Sequence, residues 1–190
     1  MLTDTPETCF YLLLQGNIMK HSSLTQLAFL LFSTSLMTPA LAANNMPVQK
    51  SPNGIELPAQ YQDWRLISQS HRVDNNTLRT ILGNDIAVEA ARNNNTHPWP
   101  KGSILAKLVW KQTPEEHWPS AIAPDKFVHV EFMIKDKEKY KATGGWGYAR
   151  WLGLEQKPYG LNTDFAQECV ACHTPVKDND YVFTRPAKLP

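Results

Sequence analysis

The chain has 190 residues, of which 42% are apolar and 19% charged, and its formal net charge is +1. This length and apolar content fit one packed domain, and they exclude a disordered chain. The near balance of 19 basic and 18 acidic residues gives no electrostatic basis for binding nucleic acid or an anionic membrane, and three cysteines are too few for a multi-disulfide scaffold.

The first 42 residues have a pattern that predicts export. Met19 and Lys20 provide a basic start, an apolar run follows at residues 27–37, and alanines occupy positions 40 and 42. The apolar run is shorter than the roughly 20 residues that cross a bilayer. We therefore expect a signal peptide at residues 19–42, cleavage after Ala42, a periplasmic or secreted protein, and no stable membrane insertion. Residues 1–18 fit no part of this pattern and are predicted to be a mis-assigned upstream extension.

The remaining chain is predicted to be a flexible polar leader at residues 43–54 followed by one folded domain at residues 55–190. Residues 58–64 favour one or two helical turns, with Pro58 at the first helical position. Residues 65–70 and 78–82 favour short strands. Asn84 is a suitable N-cap for a helix that ends near Arg92.

The middle of the domain alternates in the manner of strands. Residues 103–111 place Leu105, Lys107 and Val109 on one face, and residues 127–134 and 146–152 also favour strands. Residues 96–100 and 113–124 are predicted to be loops that frame or cover a site. Long amphipathic helices are missing, so the fold class predicted is mainly β, antiparallel, with a few short helices.

One motif carries a specific chemistry, and it reads Cys169-Val170-Ala171-Cys172-His173. In this spacing two thiols can add to the two vinyl groups of one haem, while the adjacent imidazole reaches the iron as an axial ligand. We expect a short turn to place both sulfur atoms at one edge of the porphyrin. Export is consistent with this assignment, because haem attachment of this kind takes place in the compartment to which a signal peptide leads.

Three other interpretations of the motif remain open. A Cys-x-x-Cys pair can be a redox disulfide, although that motif normally begins a helix in a βαβ setting and does not need the histidine. It can be half of a zinc site, although no second cysteine pair follows and the other histidines lack ligand spacing. It can also be a structural disulfide, which an exported protein permits.

The position of the motif near the carboxyl end bears on the second axial site of the iron. Residues 174–190 contain no Met, His or Cys. A protein ligand would have to come from upstream, from Met46, Met133, His71, His97, His117 or His129. Met46 lies in the leader, and Met133 has the setting of an ordinary core residue. The pattern therefore favours an open or water-occupied site, which is typical of ligand binding or catalysis.

The sequence resembles the cytochrome P460 family over most of the mature chain. The resemblance is carried by the order and spacing of residues 57–64, 79–80, 102–107, 130–136, the haem motif and 180–185. It implies a five-stranded antiparallel sheet with short helices, one five-coordinate haem c, and commonly a homodimer. P460 enzymes carry a lysine bonded to the macrocycle and oxidise hydroxylamine, in some cases with nitric oxide, to nitrogen oxides. The related β-type cytochromes c′ keep the fold, lack this bond and bind small gases.

The resemblance also gives candidate roles to individual residues. Lys107 matches the cross-linking lysine; the alternative is an edge-strand lysine that faces solvent. Arg79 matches a family arginine and would donate to the haem pocket or a propionate, unless it forms a surface salt bridge. Glu131 could accept protons from hydroxylamine, unless it is a surface glutamate. Glu168, beside the motif, is a second candidate for the pocket carboxylate.

Two functions follow from these assignments. The first is a periplasmic oxidoreductase that takes a small nitrogenous substrate and passes electrons to a soluble redox partner, with Lys107, Glu131 and Arg79 as its catalytic residues. The second is a non-enzymatic gas-binding or electron-transfer haem protein, for which His173, thioethers at Cys169 and Cys172, and an apolar pocket suffice.

Overall fold

The computed structural model describes residues 47–190. The predicted upstream extension, the signal peptide and the first part of the leader lie outside the described residues. The described chain contains six strands and two α-helices: β1 (Arg65–Arg72), β2 (Thr77–Gly83), α1 (Asp85–Arg92), β3 (Ile104–Glu115), β4 (Trp118–Lys135), β5 (Trp146–Leu152), β6 (Lys157–Pro158) and α2 (Phe165–His173). Three short 3₁₀ helices lie at Tyr61–Asp63, Lys141–Thr143 and Thr174–Asn179.

The strands form one antiparallel sheet in which every strand pairs with its neighbours along the chain, in the order β1-β2-β3-β4-β5-β6. The predicted mainly β class is confirmed. The sheet has six strands where the resemblance implied five, because the two-residue strand β6 pairs with the end of β5 through Trp151 and Leu152.

The prediction of a loop at residues 113–124 was wrong. These residues extend β3 and β4 into a long hairpin, in which Pro114 pairs with Ile122 and Glu115 pairs with Trp118. Both sides of this arm are largely exposed, and Trp118 is 67% exposed. A strand is predicted from alternation between buried and exposed positions. Because neither face of the arm is buried, its sequence does not alternate, and the arm was therefore predicted to be a loop.

The two faces of the sheet pack against different parts of the chain. The helical face, which carries Leu105, Met133 and Tyr148, contacts α1 and the α2 residues Cys169 and Val170. The opposite face is covered by other apolar groups, namely Ile55, Leu57, Tyr61 and Trp64 of the segment before β1 against Ala106, Val130, Phe132, Ala149 and Trp151. Successive strand residues point to opposite faces, so the residues two positions from Leu105, Met133 and Tyr148 also lie on the helical face.

Helix α1 begins where the sequence predicted. The Asn84 Oδ1 atom accepts a hydrogen bond from the Ala87 N–H at 3.1 Å, and the helix ends at Arg92 before Asn93. The same Oδ1 accepts from the Ile104 N–H at 3.0 Å, and Asn84 Nδ2 donates to the Gly102 carbonyl at 2.8 Å. This cap therefore also ties the helix to the start of β3.

The segment before β1 makes specific contacts with β5. The Trp151 indole N–H donates to the carbonyl of Gln49, and the Asn53 side-chain amide donates to the carbonyl of Tyr148.

Among the described residues, none of the helices combines the length and the apolar character needed to cross a bilayer.

Candidate functional site

The motif lies on the last turns of α2. The expectation of a short turn was wrong, since Cys169, Cys172 and His173 are helical and the chain continues directly into the 3₁₀ helix at Thr174–Asn179. Positions i, i+3 and i+4 of a helix share one face, so the helix itself brings the two sulfurs and the imidazole to one side. Within residues 47–190 no disulfide joins Cys169 to Cys172, and burial raises the pKa of Cys169. The structure therefore gives no support to a disulfide between them.

His173 is oriented by a hydrogen bond of its ring. Its Nδ1 lies 2.6 Å from the carbonyl oxygen of Tyr181, which can only accept, so Nδ1 carries the proton and donates. Nε2 is then the unprotonated ring nitrogen that can bind a metal. Burial lowers the pKa of His173, which favours this neutral form. The ring is also flanked by Tyr148 and Phe183, with centroid distances of 5.4 and 5.2 Å.

Four ionisable side chains meet on the helical face, and we call them the charged cluster: Lys107, His129, Glu131 and Arg150. The strand register aligns Lys107 on β3 with Glu131 on β4 and Arg150 on β5. Lys107 Nζ forms an ion pair with Glu131 Oε2, Arg150 Nη2 lies 2.5 Å from Oε1, and His129 Nε2 lies 3.4 Å from Oε1. One carboxylate therefore faces three nitrogen groups.

The surroundings of Glu131 keep it ionised. Burial by itself would raise the pKa of this carboxyl, but the charges of Lys107, Arg150 and His129 and the hydrogen bond from Lys107 outweigh it and lower the pKa to about 2. Burial lowers the pKa of His129 to about 4 in spite of the nearby carboxylate. At neutral pH, His129 is therefore uncharged, and the two cations that face Glu131 are Lys107 and Arg150.

The structure shows which of the predicted site residues are buried and which lie on the surface. Lys107 lies on β3, an inner strand, so the alternative of an edge-strand lysine is wrong. Glu131 is not a surface glutamate, since its side chain is 17% exposed. Arg79 lies on β2 at the position that pairs with Val109, and burial lowers its pKa. Glu168 lies on an exposed part of α2 and accepts a hydrogen bond from the Tyr159 hydroxyl at 2.9 Å, and the Tyr159 ring lies 4.5 Å from the Arg150 guanidinium.

The charged cluster and the motif lie on the same side of the sheet. Lys107, Glu131 and Arg150 are each two positions along their strands from Leu105, Met133 and Tyr148, which belong to the core that α2 contacts. Their charges act on the Cys169 thiol, and those of Lys107 and Glu131 also act on His173. The sheet therefore assembles Lys107, Glu131, Cys169 and His173 into one region.

The residues of this region fit a haem c. Two thiols and an unprotonated Nε2 are the donor set that covalent attachment and axial ligation require. The Nε atoms of Arg79 and Arg150 and the Tyr148 hydroxyl are buried without a hydrogen-bond partner among residues 47–190. Haem carries two anionic propionates, which guanidinium groups bind well, so these unpartnered donors suit the group that the motif would hold.

The folded domain matches the model of a known protein family. The model of the family described as cytochrome P460 matches residues 58–184, which include all six strands, the charged cluster and the motif. The chain belongs to the cytochrome P460 family. It is therefore a member of a family of c-type haem proteins, and its cofactor is a c-type haem. Comparison with individual curated proteins gives no match.

Sequence reasoning missed part of the site of this P460-family protein. Arg150 was not a candidate, because its place beside Glu131 depends on the pairing of β4 with β5, which a single sequence does not reveal. The alternation of the strand Trp146–Leu152 could have placed it on the face of Tyr148. From the sequence, His129 was a possible second axial ligand, whereas the structure places its Nε2 3.4 Å from Glu131 Oε1.

Proposed function

We propose that the protein is an exported haem c oxidoreductase that oxidises hydroxylamine, with or without nitric oxide, to nitrogen oxides. The observation that carries the proposal is the placement of Lys107 on an inner strand, paired with Glu131 and on the side of the sheet that contacts α2. That is where a lysine must lie if it is to react with a macrocycle held by Cys169 and Cys172.

In this proposal the motif holds one haem. The Cys169 and Cys172 thiols would hold it as thioethers, formed by addition of each S–H to one vinyl group with no net electron transfer, and His173 Nε2 would bind the iron. When bound, the haem would supply an iron that can exchange electrons and bind a small ligand. Arg79 and Arg150 contribute the guanidinium donors that would hold its anionic groups.

The charged cluster would accept the protons that hydroxylamine oxidation releases. Oxidation of hydroxylamine to nitric oxide releases equal numbers of protons and electrons; the protons need an acceptor and the electrons leave to a soluble redox partner. Glu131 is the carboxylate in place, but with a pKa of about 2 it is a weak base. A Lys107 nitrogen bonded to the macrocycle would no longer be an ammonium ion, and the loss of this neighbouring charge would raise the pKa of Glu131 toward a useful range.

The cluster favours an enzyme over a gas-binding protein like the β-type cytochromes c′. A gas-binding site needs an apolar pocket, whereas this face gathers Lys107, Glu131 and Arg150 in a largely buried setting, together with the Arg79 Nε, which has no hydrogen-bond partner within residues 47–190. Burying such groups is costly unless they are paired or used.

We further propose that the signal peptide is cleaved after Ala42, that the mature protein is periplasmic or secreted, and that it is a homodimer.

The test is peptide mapping of the exported, haem-loaded protein. After proteolysis, the haem should carry both the Cys169–Cys172 peptide and the peptide that contains Lys107. Lys107→Ala should lose the second peptide, shift the Soret band to the blue and abolish hydroxylamine oxidation with an artificial electron acceptor. Lys111→Ala, an exposed lysine on the same strand, is the matched control and should change none of these. Haem found on the cysteine peptide alone, with an unchanged spectrum in Lys107→Ala, would refute the proposal.

A further inference from the structure

The segment after α2 contains an unusual backbone conformation beside the candidate axial ligand. Asp180 and Tyr181 both have positive φ angles, 50° and 63°, although neither is glycine. Two consecutive residues in this region are unfavourable and persist only where surrounding contacts hold them. The conformation directs the Tyr181 carbonyl oxygen to His173 Nδ1 at 2.6 Å.

Asp180 is held by three separate parts of the chain. Its Oδ1 lies 2.5 Å from Lys135 Nζ, at the end of β4, and its Oδ2 accepts from the Trp99 backbone N–H at 2.8 Å. Its carbonyl accepts from the Trp146 indole N–H, on β5, at 2.8 Å. All three acceptor atoms of the residue are therefore used, and each bond goes to a part of the chain distant in sequence.

The donors to Asp180 are themselves fixed. Lys135 is 1% exposed, and its ammonium lies 4.6 Å from the centre of the Trp146 ring. Trp99 and Trp146 are also buried. A buried ammonium whose counterion is a single carboxylate is costly to separate from it, so Lys135 holds Asp180 at this position.

We propose that Asp180, paired with Lys135, is a positioning residue for the axial histidine: it holds Tyr181 in the conformation that keeps its carbonyl on His173 Nδ1. A ring N–H that donates to a carbonyl makes the other nitrogen a more basic ligand. The pair thereby strengthens the bond from His173 to the iron and stabilises the ferric state. This inference rests on the proposed ligation of haem by His173.

The test measures the iron–histidine bond and the reduction potential in haem-loaded protein. In Asp180→Asn the left-handed conformation stays accessible but the charge is lost, so the iron–histidine stretching frequency in the resonance Raman spectrum of the ferrous protein should fall and the reduction potential should rise. Lys135→Arg keeps the cation and should stay near the wild-type values. Asp178→Asn, an acid-to-amide change at an exposed neighbouring position, is the matched control.

The double variant Lys135→Met/Asp180→Asn is the decisive one, because it leaves no unpaired buried charge and changes the side-chain volume little. It should show the same two shifts even if Asp180→Asn alone fails to fold. Wild-type values in the double variant would overturn the role of Asp180 while leaving the haem assignment intact. A wild-type protein that lacks the iron–histidine mode altogether would instead refute the haem ligation, and this inference with it.

Discussion

At the scale of single residues, the balance of charges around Glu131 decides what the site can do. Burial alone would favour the neutral carboxylic acid, yet two full cations and the His129 ring keep the group ionised. The cost of burying Lys107 and Arg150 is offset by the same contacts. A change in Lys107 or Arg150 should therefore alter the pKa of Glu131.

The low pKa of Glu131 predicts a specific dependence of stability on pH. The folded-state pKa of about 2 lies below the ordinary value of 4.5, so the carboxylate contributes stability that is fully present above about pH 4.5 and is lost as the pH falls toward about 2. Glu131→Gln should therefore be less stable than the wild type at neutral pH, and the difference should shrink across this range. Urea unfolding at a series of pH values measures it in protein expressed without haem, in which Lys107 keeps the ammonium charge that lowers the pKa of Glu131.

Glu89→Gln provides the control for this experiment, because Glu89 is an exposed glutamate on α1. Its unfolding free energy should follow that of the wild type at every pH. A Glu131→Gln difference that stays constant from neutral pH to about pH 2 would show that the carboxylate is not held by the surrounding cations.

At the scale of elements, the sequence was most informative where a strand or helix has one buried side. Alternation predicted the inner strands, and Asn84 marked the start of α1. Alternation could not predict the outer part of the β3–β4 hairpin, since that arm buries neither face. Nor could it supply the register that joins Lys107, Glu131 and Arg150, because pairing between strands is a property of the assembled sheet.

The Asn84 cap gives a prediction at this scale. Asn84→Ala removes the bond to the Ala87 N–H, the bond to the Ile104 N–H and the bond to the Gly102 carbonyl. We expect a loss of about 2 kcal/mol in unfolding free energy, at the upper end for an N-cap because the side chain also joins α1 to β3. Asn93→Ala, at the exposed end of the same helix, should cost less than about 0.5 kcal/mol. Equal losses in both variants, measured by chemical denaturation, would contradict this account.

At the scale of the whole molecule, the fold is a sheet whose two faces carry different kinds of side chain. The face toward the segment before β1 is packed with aromatic and aliphatic side chains, such as Phe132 and Trp151. The helical face combines an apolar core under α1 with a charged region near α2. The residues that the motif alone identified, Cys169, Cys172 and His173, therefore lie where the sheet provides both apolar contacts and guanidinium donors that have no hydrogen-bond partner in the described part of the chain.

The most direct test of this account is the absorption and electron paramagnetic resonance spectrum of the exported ferric protein, with haem content determined per chain. We expect one covalently bound haem in each chain, lost in the variant Cys169→Ser/Cys172→Ser, and a high-spin ferric iron with His173 as its single protein ligand. A colourless protein, or a low-spin iron bound by side chains on both axial sides, would contradict the central claim.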